Sequence, residues 1–109
     1  MKIAVAKDGD LVAEHFGHCR EYAFFTVENG QITEEESLVS PAHAPGVIPG
    51  FLKENGADIV FSGGMGQGAI ELFNNMGIEV FIGVCGNISD AVKSYVDGDL
   101  QSGQNVCDH

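Results

Sequence analysis

Within five residues, His15-x-x-His18-Cys19 gathers two imidazoles and a thiol, and His43 and Cys85 add one more of each elsewhere in the chain. Imidazole nitrogen and thiolate sulfur are the side-chain donors that bind borderline and soft metals and iron-sulfur species. A second stretch of interest is Ser62-Gly63-Gly64-Met65-Gly66-Gln67-Gly68-Ala69, set between the apolar run Ile59-Val60-Phe61 and the amphipathic run from Ile70 to Met76. That order reads as strand, glycine-rich turn and helix. Glycine tolerates φ > 0 and lets backbone N–H groups come close to a ligand, and the first N–H groups of a helix have no intrahelical partners. Gly63, Gly64, Met65, Gly66, Gln67 and Gly68 are therefore candidates for holding an anion. The alternative is that these glycines only let strand and helix pack closely.

None of these patterns is diagnostic by itself. The His15 to Cys19 cluster lacks the paired Cys-x-x-Cys of a zinc ribbon. A lone histidine in a loop is commonly a surface group, and free cysteine is commonly just buried. The glycine turn has no Gly-Lys-Ser/Thr ending, and Gly64-x-Gly66-x-Gly68 is one residue short of the dinucleotide spacing. No Lys or Arg lies between Lys53 and Lys93, so a nucleotide would be held by N–H groups alone. A nucleotide is accordingly the less favoured occupant.

The elements that must position these residues follow from periodicity. Ile3 to Ala6 is a continuous apolar run, as in a central strand covered on both faces, and Asp8-Gly9-Asp10 turns the chain. Leu11 to Arg20 has no clear period and reads as a loop carrying His15, His18 and Cys19. Tyr22 to Val27 is a second strand, and Asn29-Gly30 marks a hairpin into a third, Gln31 to about Val39. The acidic run Glu34-Glu35-Glu36 suits a solvated edge strand. Val47, Ile48, Phe51 and Leu52 form a short helix with Pro49 in its first turn, closed at Asn55-Gly56. Asp58 to Phe61 and Ile78 to Ile82 are further strands, each followed by a glycine turn and a helix. Ala69, Ile70, Phe73 and Met76 mark the first of those helices; Ile88, Ala91, Val92, Tyr95 and Val96 mark the second, with Asn87 or Ser89 as its cap.

The resulting fold class is a single α/β domain over residues 1–98, with a five-stranded mixed sheet, an N-terminal antiparallel hairpin and about three helices. Residues 99–109 read as a polar, mobile tail that includes Cys107 and His109. Right-handed crossovers place the loops starting at Lys7, Ser62 and Gly83 at the carboxyl ends of the parallel strands, where ligands bind in open α/β sheets.

At 109 residues and 44% hydrophobic content the chain can bury a core without disulfide or metal staples. Five Lys and Arg against sixteen Asp and Glu give a formal charge of −11, which argues against nucleic acid as a partner. No apolar run is long enough for a membrane span, and the early charges at Lys2, Lys7 and Asp8 do not suit a signal peptide, so a cytoplasmic protein is expected. An odd number of cysteines, Cys19, Cys85 and Cys107, points to free thiols.

Taken together and in order, Lys2-Ile3-Ala4-Val5-Ala6, His15-Phe16-Gly17 leading into Tyr22-Ala23-Phe24-Phe25, and Gly63-Gly64-Met65-Gly66 with Ala69 resemble the dinitrogenase iron-molybdenum cofactor biosynthesis family over about residues 1–98. The resemblance implies a ribonuclease H-like three-layer fold without ribonuclease activity. It also implies a non-catalytic, nitrogenase-accessory carrier of an iron-sulfur or molybdenum-iron-sulfur cluster, with cluster donor and acceptor proteins as partners. The ligand role carries over to His15 by its motif position, and to Cys19 as a second candidate. A regulatory or interaction domain without a cluster, and a thiol-dependent enzyme using Cys19 or Cys85, are the competing readings. Oligomeric state, the native cluster and the role of Cys107-Asp108-His109 are not legible in the sequence.

Overall fold

The computed structural model describes residues 1–17, 19–41 and 46–98. Six strands and three helices follow one another as β1 (Lys2–Asp8), β2 (Leu11–Val12), β3 (Glu21–Glu28), β4 (Gln31–Val39), α1 (Val47–Glu54), β5 (Ile59–Phe61), α2 (Gln67–Asn75), β6 (Glu79–Phe81) and α3 (Ile88–Val96). The sheet order is β4-β3-β1-β5-β6, with β2 paired to β1. β1, β5 and β6 run parallel, and β3 and β4 are antiparallel on one side. This is the mixed topology expected, with one strand more than the five expected. The extra strand, β2, occupies the start of the stretch read as loop, because Lys7 pairs with Val12 and Asp8 with Leu11 across the Gly9-Asp10 turn.

β1 lies at the centre, and Ile3, Ala4, Val5 and Ala6 are wholly buried. Alternation along the strand splits the core in two. Ile3 and Val5, with Phe25 and Phe61, face Ile88, Ala91 and Val92 of α3. Ala4 and Ala6, with Tyr22, Phe24 and Val60, face Ile48 and Leu52 of α1 and Phe73 of α2. The result is three layers: one helix on one face of the sheet, two on the other. The small alanines of β1 leave volume for aromatic side chains on the two-helix side.

Local signals behave as their chemistry requires. Asn29 and Gly30 take φ of 53° and 77°, the left-handed pair of a tight hairpin. Pro49 sits in the first turn of α1. The Asn87 side chain caps α3, accepting from the Ser89 and Asp90 N–H groups at 2.9 and 3.2 Å. No described helix is long and apolar enough to cross a membrane.

Phe16 ties the His15 loop to the core. Its ring meets Phe73 edge-on at 5.3 Å and Tyr22 at 5.8 Å. Phe73→Ala should cost about 3–5 kcal/mol in denaturant unfolding. It should also speed amide exchange at Phe16, whose N–H donates to the Gly64 carbonyl at 2.8 Å. An unchanged Phe16 exchange rate in a destabilised protein would show that the loop is held by its backbone alone.

Candidate functional site

Three loops meet at the carboxyl ends of β1, β5 and β6, and backbone hydrogen bonds knit them together. The Gly63 and Gly64 N–H groups donate to the Ala13 and Glu14 carbonyls at 2.9 and 2.6 Å. His15 and Gly64 form a parallel bridge. On the other side of the turn, the Gly83 N–H donates to the Gly63 carbonyl at 2.7 Å, and the Val84 N–H to the Ser62 carbonyl at 3.2 Å. β2 is tied to the loop preceding α3 by the Val12 N–H, which donates to the Gly86 carbonyl at 2.8 Å. The Ser62 side chain, wholly buried, fastens the glycine turn by donating to the Gly64 carbonyl at 2.9 Å.

This geometry divides the glycine turn into two functional halves. A Cβ on Gly63 would lie 2.9 Å from Glu14 backbone atoms, and one on Gly64 would lie 3.1 Å from the Glu14 carbonyl. Those two glycines allow two backbones to touch, and their N–H groups are already used. Gly66 and Gly68 have nothing within 4 Å of an added Cβ. Gly66, at φ −67°, has no need of a left-handed conformation, and it opens α2 without a side-chain cap. Hence close packing explains Gly63 and Gly64, whereas Gly66, Gln67 and Gly68 form an open helix start with Met65 half-buried beside it. Positive φ plays no part in this turn, contrary to what glycine enrichment suggests; the positive values occur at Gly17, Gly83 and Gly86 in the surrounding loops.

A cavity of about 370 Å³ opens beside the first loop, lined by Lys7, Asp8, Gly9, Ala13, Glu14, His15, Cys19, Arg20 and Glu21. His15 is exposed at its mouth and Cys19 is a nearly buried free thiol. Lys7 reaches the Ser37 hydroxyl at 3.0 Å and the Glu21 carboxylate at 3.8 Å. Two cationic side chains stand here against three carboxylates, a far less acidic balance than the five against sixteen of the whole chain. The cavity thus carries cationic side chains beside its carboxylates, with Lys7 already paired to Glu21, and the remote acidic surface is screened beyond about 8–10 Å at ordinary salt.

Behind Cys19 stands Tyr22, wholly buried on β3. Its hydroxyl lies beside the Cys19 thiol and the Gly17 backbone, close enough to interact with both, but completes no well-formed hydrogen bond among the described residues. Burial, and then the Cys19 sulfur, push its ionisation well above the ordinary phenol value, with the Gly17 backbone acting in the opposite sense. The hydroxyl is a neutral donor at any physiological pH.

Of the candidate ligands read from sequence, His15 and Cys19 come together at the cavity. Cys85 lies on the third loop, does not line the cavity, and is disulfide-bonded rather than a free thiol. His18, His43, Cys107 and His109 lie outside the described residues, as does the whole 99–109 tail. Arg20 and Tyr22 carry no site signal in the sequence, and Lys7 and Ser62 are read there only as the starts of ligand-facing loops. Only the register of β1 against β3, with Lys7 opposite Glu21, carries Lys7 to the same place as Arg20.

Residues 1–98 match the family described as dinitrogenase iron-molybdenum cofactor. The chain belongs to that family. PH0822, a protein of known crystal structure, is 35% identical, with all of both chains covered and a TM-score of 0.89. MJ0580 of Methanocaldococcus jannaschii is 28% identical over 93% of this chain and 90% of its own length. The apo form of the orange protein from Desulfovibrio gigas is 23% identical, covering 94% of this chain and 92% of its own, with a TM-score of 0.77. It shares the fold. Family membership ties the domain to iron-molybdenum cofactor biology.

The two halves of the turn separate by mutation. Gly63→Ala should cost about 1–3 kcal/mol through overpacking against Glu14, whereas Gly68→Ala should stabilise by roughly 0.5–1 kcal/mol by removing a helical glycine. Equilibrium unfolding reads both. Equal effects at the two positions would contradict the division.

Proposed function

We propose that this protein is a non-catalytic carrier of a preformed iron-sulfur or molybdenum-iron-sulfur cluster, held at the His15 to Cys19 cavity and passed between a donor and an acceptor protein. The observation that carries this reading is the pairing of His15 and Cys19 in one cavity flanked by Lys7 and Arg20. Family membership supplies the cluster chemistry.

The donor set suits a cluster better than a bare ion. Among the described residues no three of His, Cys, Asp and Glu are grouped to hold a metal. A zinc ion takes four ligands from its surroundings. A cluster arrives with bridging sulfides of its own, so one imidazole and one thiolate can anchor its exposed metal atoms. Lys7 and Arg20 then offset its negative charge. The unpaired N–H groups at the start of α2 and the Met65 side chain lie on the neighbouring glycine turn, whose bridge to His15 keeps the two parts of the site in register. A carrier also needs a scaffold that exists before loading, and both faces of the sheet are covered by apolar side chains.

Anaerobic incubation with ferrous iron and sulfide, with and without molybdate, should give a coloured protein that keeps a fixed number of metal and sulfide atoms per chain after desalting. Loading should raise the melting temperature, since a ligand present at a hundred times its Kd adds about 2.7 kcal/mol to the folded state. His15→Ala and Cys19→Ser should each weaken retention by roughly 10–100-fold, at least the cost of losing an outer-sphere partner. Metal lost on desalting from the parent chain, with melting unchanged, would remove the carrier reading.

A further inference from the structure

The Tyr22 hydroxyl is a buried polar atom that the fold itself does not use. Its residue is wholly inaccessible, and no group among the described residues completes a well-formed hydrogen bond with it. Leaving a hydroxyl unsatisfied in a core is destabilising, and phenylalanine would fill the same aromatic layer without that cost. Neighbouring positions show as much: Phe24 lies two residues further along the same face of β3, and Phe51 packs against both rings at 6.5 and 6.3 Å. The hydroxyl is therefore a donor left over by the packing of the described residues.

Its nearest candidate partner is sulfur. Cys19 stands between Tyr22 and the cavity: it lines the cavity, whereas Tyr22 does not. A neutral thiol is a weak acceptor, so the O–H gains little from it. A thiolate bound to metal keeps much of its negative charge and is a far better acceptor. When Cys19 binds a metal atom its proton leaves to solvent and the S–metal bond forms, and the donor beside it then has a partner. We propose that Tyr22 is a positioning residue of the cargo site, its hydroxyl held behind Cys19 to donate a hydrogen bond to the sulfur once that sulfur is bound to metal. This rests on the reading of Cys19 as a ligand. It adds that part of the affinity is stored in the empty protein as an unmade hydrogen bond, released only on loading.

The test is Tyr22→Phe, which keeps the ring and removes one oxygen. Without metal, the variant should melt no lower than the parent. Methylmercury, which binds a single thiolate, probes Cys19 independently of any cluster, with Cys19→Ser giving the background from other thiols. In competition with glutathione, Tyr22→Phe should hold it roughly tenfold less tightly, the lower end of outer-sphere effects on metal sites. In the Cys19→Ser chain the same change should have no further effect, since the two residues act as one unit. After loading with ferrous iron and sulfide, the sulfur-to-iron charge-transfer absorption should move to longer wavelength in Tyr22→Phe, because the lost hydrogen bond no longer lowers the energy of the sulfur electrons. A metal-free variant that melts lower than the parent, methylmercury held equally well, or a loss that persists without Cys19 would each overturn the proposal. If the parent chain fails to take up iron and sulfide at all, the carrier reading falls while the methylmercury result still decides the Tyr22–Cys19 pair.

Discussion

The contact on which the site depends is backbone against backbone: the Gly63-Gly64 segment lying on Ala13 and Glu14. Two N–H groups of the turn bond two carbonyls of the loop, and an added Cβ on Gly63 would lie 2.9 Å from the loop backbone. Through this seam β5 fixes the height of His15 above the sheet. Through the Gly83 and Val84 N–H groups, the same turn also holds the loop that follows β6. A side chain at the seam would push the first loop away from the other two. With it would go the cavity that His15 and Cys19 share.

Electrostatics follow from the same arrangement. A chain with a formal charge of −11 is a poor host for an anion on average, but averages matter little at a contact distance of a few ångströms. Lys7 near the end of β1 pairs with Glu21, the residue after Arg20, and both cations line the cavity. The glutamates of β4 lie along the sheet edge, where they discourage strand addition rather than shape the site.

The hydrophobic layers explain why such a site can wait for its ligand. Ile3 and Val5 look to α3, Ala4 and Ala6 to α1 and α2, and Phe16 plugs the first loop into the second layer against Phe73. Both layers are built of apolar side chains. The polar exceptions within it are informative in different ways. Ser62 spends its hydroxyl on the turn, whereas Tyr22 has no such outlet among the described residues.

Much of the fold was legible along the chain, because strands and helices announce themselves through local periodicity and punctuation. The unbroken apolar run of β1, the Asn29-Gly30 hairpin, Pro49 in the first turn of α1 and the i, i+3, i+4 stripe of α3 each depend on near neighbours alone. β2 escaped because two residues have no period and exist as a strand only through pairing with β1. At the site, residue type was enough to nominate His15 and Cys19, and to mark the glycine turn as a place where backbone is exposed. Sequence could not separate Gly63 and Gly64 from Gly66 and Gly68, since one pair meets Glu14 and the other meets nothing, and that difference lies fifty residues away in the chain. Nor could it set Cys85 aside, or bring in Lys7, Arg20 and Tyr22. Those assignments depend on strand register and on which side of a buried thiol a hydroxyl falls, and only the tertiary structure decides either.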